Sequence, residues 1–221
     1  AFFGPSAFID LIHQLQLDIT GADISFCAPL SFNAEIKEGD IYMSDMFNLY
    51  KYENLLYTMR LTGHEIKGFL EMSYALWTNQ MQSPDDHLLL LNEKDEGFGR
   101  LKNPSYNFDS AAGILYTVDV TQPEGKKITI TGLADGTPFD LDRTYTVAVN
   151  SYRGNGGGDL LTKGAGIPKE ELASRIVSAT DKDLRYYLMK RIEELGTLDP
   201  HPLNQWRFVP EEWVKPAAER D

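Results

Sequence analysis

Cysteine and histidine are scarce in this sequence. Its 221 residues include one cysteine, Cys27, and four histidines at positions 13, 64, 87 and 201. A single cysteine excludes an internal disulfide and a metal site built from several thiolates. The histidines are widely separated, and His64 stands at the start of a predicted helix, where we expect a capping or surface role and not metal ligation.

Long apolar runs and positive charge are also lacking. No stretch of about 18 apolar residues occurs, and residues 1–5 lack the basic and apolar regions of a signal peptide, so we predict no membrane span in this chain. The 21 Lys and Arg against 33 Asp and Glu give a net charge of −12. Because nucleic-acid affinity comes mainly from cations that neutralise phosphates, this charge excludes a duplex-binding protein but permits binding of a single nucleotide.

The composition is that of a folded domain. Apolar residues make up 42% of the chain and aromatic residues 11%, which is enough for a buried core and excludes intrinsic disorder. No segment resembles a linker, so we predict one domain over residues 1–221. The chain begins with Ala, which indicates a processed protein or a fragment, and we favour a fragment of a longer protein.

The hydrophobic pattern predicts both helices and strands. Predicted helices cover residues 6–20 (N-cap Ser6, terminator Gly21), 45–50, 168–178 and 181–195 (terminator Gly196). A further helix opens with a Thr62–Glu65 capping box and carries Trp77. Predicted strands cover residues 24–27, 55–61, 113–120, 127–132, 144–150 and 205–209.

These elements favour an α+β fold, because three predicted strands follow one another and form a mixed or antiparallel sheet flanked by helices. Residues 78–107 are mostly polar and acidic without sustained periodicity, so we predict a long surface excursion.

A glycine-rich turn follows the strand that ends at Asn150. Its sequence, Ser-Tyr-Arg-Gly-Asn-Gly-Gly-Gly-Asp, permits backbone angles that other residues avoid and lets N–H groups approach an anion or a flat ring. The turn matches neither the dinucleotide-binding nor the P-loop pattern. On its own it fits a ligand site and a tight structural turn equally well.

Two tyrosines near predicted loops are candidates for stacking on a planar base, which contributes about 1 to 3 kcal/mol per contact. Tyr152 enters the glycine-rich turn, and the other candidate is Tyr50 or Tyr52, which both lie at the end of a short predicted helix before the second predicted strand. The alternative for any single tyrosine is a ring packed in the core.

Taken in order, five segments resemble the C-terminal domain of the 5'-nucleotidase and 2',3'-cyclic-nucleotide phosphodiesterase family. They are Gly-Ala-Asp-Ile (21–24), Gly-Asp-Ile (39–41), Leu-Tyr-Lys-Tyr-Glu-Asn (49–54), Leu-Thr-Gly-His-Glu-Ile (61–66) and Asn-Ser-Tyr-Arg-Gly-Asn-Gly-Gly-Gly (150–158).

The resemblance implies that Tyr52 and Tyr152 clamp the base or nucleoside. It also implies further ligand contacts, which we assign to Asn33, Asn150, Arg153, Asn155, Gly156 and Gly157. The first predicted helix looks like the hinge to an N-terminal metallophosphoesterase domain that holds two divalent metal ions. By the same resemblance the protein is periplasmic, secreted or on the cell surface.

Two departures from the family pattern concern the ligand. Asn33 stands near the position at which the 5'-nucleotidase branch has an arginine, and Gly158 replaces the aspartate of a Gly-Gly-Asp-Gly sequence. Tyr152-Arg153 followed by three glycines looks more like the branch that acts on 2',3'-cyclic and 3'-phosphorylated nucleosides.

A hydrolytic centre is not evident in this chain. The family's Gly-Asn-His and Gly-His-x-His metal-binding motifs do not occur. Asp85-Asp86-His87 is the best remaining metal or acid–base candidate, and the alternative is an ordinary solvated loop. Cys27 lies in a predicted buried strand, where an inert thiol is expected. We therefore predict a substrate-binding domain without cofactor or catalysis of its own; the alternative is a non-enzymatic interaction module that keeps the fold.

Overall fold

A computed structural model describes residues 1–30, 36–42, 44, 45, 47, 50–94 and 100–221. The helices are α1 (Ala7–Thr20), α2 (Gly63–Trp77), α3 (Ser151–Gly154), α4 (Leu172–Arg175), α5 (Leu184–Leu195) and α6 (Glu211–Arg220). The strands are β1 (Ile24–Cys27), β2 (Leu55–Thr62), β3 (Ser110–Ala112), β4 (Ile114–Asp119), β5 (Ile128–Leu133), β6 (Thr144–Asn150), β7 (Ile176–Asp183) and β8 (Trp206–Val209). The predicted helix over residues 45–50 lies largely outside the described residues.

The strands form two sheets. The larger has the order β3-β1-β6-β2-β7, in which β1 and β6 are parallel and the other pairs antiparallel. The smaller has the order β5-β4-β8, with β4 antiparallel to β5 and parallel to β8. With helices against both sheets, the architecture confirms the predicted α+β class with mixed sheets.

Helix α2 connects the two sheets through its buried face. On one side the Phe69 ring stacks on Phe26 of β1 at a centroid distance of 4.0 Å. On the other side the Tyr74 hydroxyl is 2.9 Å from that of Tyr116 on β4. The apolar residues around α2 form one continuous core that includes strands of both sheets.

The predicted capping box begins α2. The Glu65 N–H donates to the Thr62 Oγ1 at 3.2 Å, and the Thr62 N–H donates to a Glu65 carboxylate oxygen at 2.7 Å. Two N–H groups that the helix leaves without partners are thereby satisfied. The same Glu65 forms an ion pair of 3.0 Å with Arg175 and so ties α2 to α4.

Several predicted boundaries were wrong. Residues 168–178 are not one helix: a 3₁₀ turn and the single turn of α4 lead into β7, which pairs with β2. The predicted helix over 181–195 begins only at Leu184, because Asp183 ends β7 and its carboxylate accepts the Tyr186 N–H as the N-cap. Ser6 occupies the N-cap position of α1 but makes no capping hydrogen bond.

The predicted surface excursion over residues 78–107 is partly buried in the residues that the structure describes, 78–94 and 100–107. Met81, Leu88, Leu89 and Leu101 belong to the core. The C-terminal helix α6, which the pattern did not predict, packs beside this segment, and the Asp221 carboxylate accepts the Leu89 N–H at 2.9 Å. Because these four apolar side chains are buried, they hold the described residues around them against the core.

Candidate functional site

The two candidate tyrosines leave the large sheet at the same edge. Because β2 and β6 are antiparallel, the start of β2 lies beside the end of β6, with Leu56 opposite Asn150. The Leu55 N–H donates to the Ser151 Oγ at 3.1 Å and extends this contact beyond the ladder. Tyr52 lies three residues before β2 and Tyr152 two residues after β6, so the backbone brings both segments together.

The Tyr152 ring has one protected face. A Cβ added at Gly157 would stand 2.5, 2.5 and 2.6 Å from three adjacent ring carbons. Nearly equal distances to three neighbouring atoms place the Gly157 backbone over the face of the ring and not at its edge. Tyr106 contacts the ring in a T-shaped arrangement with the centroids 6.3 Å apart. The side chain nevertheless remains 45% exposed, which leaves apolar ring surface for a ligand.

Of two neighbouring tyrosines, Tyr50 lies in the core and Tyr52 on the surface. Tyr50 is buried, and burial raises the pKa of its phenol. Tyr52 is 37% exposed, and the Lys51 ammonium lies 5.1 Å from its ring centroid. Tyr52 therefore resembles Tyr152, because each ring has a neighbour over it and keeps exposed surface.

Arg153 lies inside the domain beneath the glycine-rich turn. Its Nη2 is 2.6 Å from an Asp109 carboxylate oxygen, and both side chains are 1% exposed. The guanidinium also donates to the carbonyl oxygens of Tyr106 and Gly157 and to the Asn107 side-chain oxygen. With these partners around it, Arg153 is placed to hold the turn and not to contact a base or ribose directly.

The other predicted contacts differ in how accessible they are. The Asn150 side-chain oxygen accepts the Arg153 N–H at 2.8 Å and so caps α3. Asn155 is exposed in the turn. Gly156 has a φ of 92°, in the left-handed region that favours glycine. Asn33 lies outside the described residues.

Phe47, another aromatic residue near Tyr52 in the sequence, lies among charged side chains. The Arg185 guanidinium lies 4.2 Å from the centroid of the exposed Phe47 ring. It also forms an ion pair of 3.3 Å with Glu53, and the Leu184 N–H donates to the Asn54 carbonyl at 2.9 Å. The start of α5 thereby holds the segment that carries Tyr52.

Sequence reasoning missed Tyr106, Asn107 and Asp109 as parts of the site. They belong to a short 3₁₀ helix, Ser105–Asn107, and the two residues after it, within and just beyond the stretch predicted to be a surface excursion. No motif marks them. Only the presence of an arginine in a glycine-rich turn could have suggested that a buried carboxylate was needed somewhere.

The candidate acid–base cluster at residues 85–87 is a structural contact. Asp86 accepts the N–H groups of Gln82 and Ser83, and these hydrogen bonds lower the pKa of its carboxyl. His87 Nδ1 hydrogen-bonds to the Asp221 carboxylate. The pair fastens the C-terminal end of α6 to this loop.

Within the described part of the chain, no group of three or more His, Cys, Asp or Glu side chains could hold a metal ion. His64 is exposed beside Asp142, which fits the predicted surface role. Cys27 is buried in β1, and burial raises the pKa of its thiol well above the ordinary value.

A groove of about 1150 Å³ lies elsewhere on the surface. It is lined by α1, residues 36–42 and the end of α5, and neither Tyr52 nor Tyr152 borders it. Both tyrosines instead keep part of their surface exposed to solvent. Among the described helices, none combines the length and apolarity needed to span a membrane.

Comparison with known proteins gives the class to which this fold belongs. Residues 1–163 match the family described as "5'-nucleotidase, C-terminal domain". The chain belongs to this family.

Two named relatives show which phosphoesterases this chain resembles in sequence. The trifunctional nucleotide phosphoesterase protein YfkN of Bacillus subtilis is 31% identical over 191 residues, which are 81% of this chain and 12% of that protein. The 2',3'-cyclic-nucleotide 2'-phosphodiesterase/3'-nucleotidase of Salmonella typhimurium is 29% identical over 193 residues, 82% of this chain and 28% of that protein. The chain thus spans less than a third of either relative.

Among solved structures, the fold matches that of a 5'-nucleotidase precursor from Thermus thermophilus. The TM-score is 0.69 at 20% identity, and the match covers 94% of this chain and 36% of that one. At this identity the likeness shows the fold, and the matched part is about a third of that chain.

Proposed function

We propose that this domain binds the base of a nucleotide between Tyr52 and Tyr152 and serves as the substrate-binding domain of a nucleotidase or 2',3'-cyclic-nucleotide phosphodiesterase. One observation carries the proposal: the β2–β6 ladder brings two partly exposed tyrosines to one edge of the sheet. Two aromatic faces on either side of a flat base stabilise it by stacking. The exposed amide of Asn155 is available for polar contacts to the base or ribose.

The substrates that we propose are 2',3'-cyclic and 3'-phosphorylated nucleosides. Tyr152-Arg153 followed by three glycines resembles that branch of the family, and the Salmonella relative carries both activities in its name.

Hydrolysis is assigned to another part of the same protein. In the family an N-terminal metallophosphoesterase domain holds two divalent metal ions, which activate water and stabilise phosphoryl oxygens. The described residues of this chain offer no comparable group. We propose that the tyrosines hold the nucleoside end while the ester faces that domain, and that the protein works in the periplasm, on the cell surface or in the medium.

Titration of this chain with adenosine, 3'-AMP and 2',3'-cyclic AMP tests base binding. We expect millimolar affinity, because the phosphate half of the site is absent, and a loss of about tenfold for Tyr52→Ala or Tyr152→Ala. Tyr186→Ala is the matched control: Tyr186 is 39% exposed, a value between those of Tyr52 and Tyr152, but lies on α5.

Two results would contradict the proposed base binding. One is the lack of any binding at millimolar ligand, which would favour an interaction module that keeps only the fold. The other is binding that the Tyr52 and Tyr152 variants leave unchanged. Turnover of a phosphate ester by this chain alone, dependent on added metal, would contradict the assignment of catalysis to another domain.

A further inference from the structure

We infer that the buried ion pair between Asp109 and Arg153 positions the Tyr152 ring for its ligand, with Asp109 acting through Arg153. The inference rests on the proposed base-binding function, which gives the ring its purpose. Both side chains are 1% exposed, and the Nη2 to Oδ2 distance is 2.6 Å.

A short chain of contacts leads from the carboxylate to the ring. Asp109 holds the guanidinium, the guanidinium donates to the Gly157 carbonyl, and the Gly157 backbone lies on the face of Tyr152. Each step joins groups in direct contact. Moving the carboxylate therefore moves the surface on which the ring rests.

The same guanidinium also fixes the segment that carries Tyr106, a second neighbour of the ring. Its Nη2 donates to the Tyr106 carbonyl at 2.8 Å, and its Nη1 donates to the Asn107 side-chain oxygen at 3.1 Å. Tyr106 contacts Tyr152 in the T-shaped arrangement. Arg153 thus sets the positions of both groups that confine the ring.

Stability alone is a weak reason for this pair. Taking a carboxylate and a guanidinium out of water is costly, and packed apolar side chains often replace a buried ion pair without loss of stability. Burial raises the pKa of the Asp109 carboxyl, and Arg153 opposes that rise. An apolar contact could not replace the planar guanidinium, whose fixed N–H donors hold three carbonyl or amide oxygens at once.

The ring position can be measured without any nucleotide. A proton over an aromatic face is shielded by the ring current, so the α-protons of Gly157 should resonate upfield in spectra of ¹³C-glycine-labelled chain. We expect Asp109→Asn to move these resonances toward ordinary glycine values and to weaken adenosine binding by about tenfold, since a displaced ring loses most of its stacking.

Glu71→Gln provides the matched control. Glu71 is a buried carboxylate whose two oxygens accept the N–H groups of Lys127 and Ile128, each at 2.9 Å, on the small sheet. Its replacement also removes buried charged hydrogen bonds but should leave the Gly157 resonances and the adenosine affinity unchanged.

A folded Asp109→Asn chain with unshifted Gly157 resonances would overturn the inference, as would an equal change in Glu71→Gln. If Asp109→Asn does not fold, Arg153→Lys takes its place, because lysine keeps the charge opposite Asp109 and lacks the fork. Resonances that move while affinity stays constant support the positioning of the ring and reject its use in base binding. A native chain that binds no adenosine rejects the base-binding function, and the resonances then decide the positioning role alone.

Discussion

The backbone of Gly157 lies against the face of the Tyr152 ring, so closely that an added Cβ would stand 2.5 Å from two ring carbons. Glycine at this position is therefore required by the ring. The neighbouring Gly156 has a φ of 92°, and Gly158 combines a φ of 70° with close approach, since an added Cβ would stand 2.2 Å from the Asn107 side-chain oxygen. Two different physical reasons, close approach and backbone angle, account for adjacent glycines in one turn.

Gly157→Ala should displace the Tyr152 ring. The added methyl group cannot fit at 2.5 Å, so either the ring or the turn must shift, at a cost of about 1 to 3 kcal/mol in the free energy of unfolding. We expect adenosine affinity to fall by about tenfold. Calorimetric titration and urea unfolding of the same sample measure the two effects.

Gly125→Ala separates ring displacement from loss of stability. Gly125 has a φ of 81° with open space around it, so alanine there is strained without touching another group. This variant should lose stability and keep its ligand affinity. If Gly157→Ala binds adenosine as tightly as the unsubstituted chain, the surface of the Tyr152 ring is not used for binding.

Tyr52→Phe and Tyr152→Phe should retain nucleotide affinity within about twofold, because phenylalanine keeps the stacking face. Neither hydroxyl hydrogen-bonds to another residue that the structure describes. Adenosine titration of the two variants, compared with the alanine variants, measures the contribution of the hydroxyls. A tenfold loss in a phenylalanine variant would instead assign a ligand hydrogen bond to that hydroxyl.

The buried histidine of α1 should make the fold sensitive to acid. His13 lies between the Ser25 and Ser110 hydroxyls at 2.9 and 3.1 Å, and burial lowers its pKa from 6.5 to about 3. Between these values the unfolded chain binds a proton that the folded chain does not. Its contribution to the free energy of unfolding is therefore intact above pH 6.5 and falls on acidification by about 1.4 kcal/mol per pH unit.

Urea unfolding at several pH values checks this slope. His13→Gln should flatten the dependence between pH 6 and pH 4, whereas His201→Gln, at an exposed histidine, should not. Burial raises the carboxyl pKa of Asp10 and Asp109, so their contributions to the free energy of unfolding increase on acidification. These contributions are the same in both variants and cancel when the two variants are compared with the unsubstituted chain. An unchanged slope in His13→Gln would contradict the assignment.

The thiol of Cys27 should be inert in the folded chain. Burial raises its pKa, and the nearby charge of Asp109 raises it further, so little thiolate forms at neutral pH. A disulfide reagent should modify the chain only after unfolding in guanidinium chloride, as followed by thionitrobenzoate absorbance. Rapid stoichiometric modification of the folded chain would show that β1 opens.

The sequence predicted those features that depend on nearby residues. The capping box of Thr62 and Glu65 and the terminating turn at Gly21 are formed as expected. The strands β1, β2 and β6 lie where alternation and apolar runs indicated. Such signals are local, because capping, φ and side-chain alternation involve residues a few positions apart.

Features that depend on distant partners were not predictable in this way. Strand β7 resembles the continuation of a helix until it pairs with β2, more than 100 residues earlier. Asp109 stands in a stretch with no motif, and its role follows only from Arg153, 44 positions later. The candidate tyrosines could be named from their loops together with the family resemblance, but the contacts that hold them arise from tertiary packing.

The β2–β6 ladder separates the choice of ligand from the stability of the fold. Because backbone hydrogen bonds set where both tyrosine-bearing segments begin, we expect exposed residues such as Asn155 to vary without moving the two tyrosines between which we propose that a base binds. An insertion within β2 is different, since one added residue shifts the strand by ~3.3 Å and reverses its faces. Redesign of substrate preference should therefore target the loops and preserve the length of both strands.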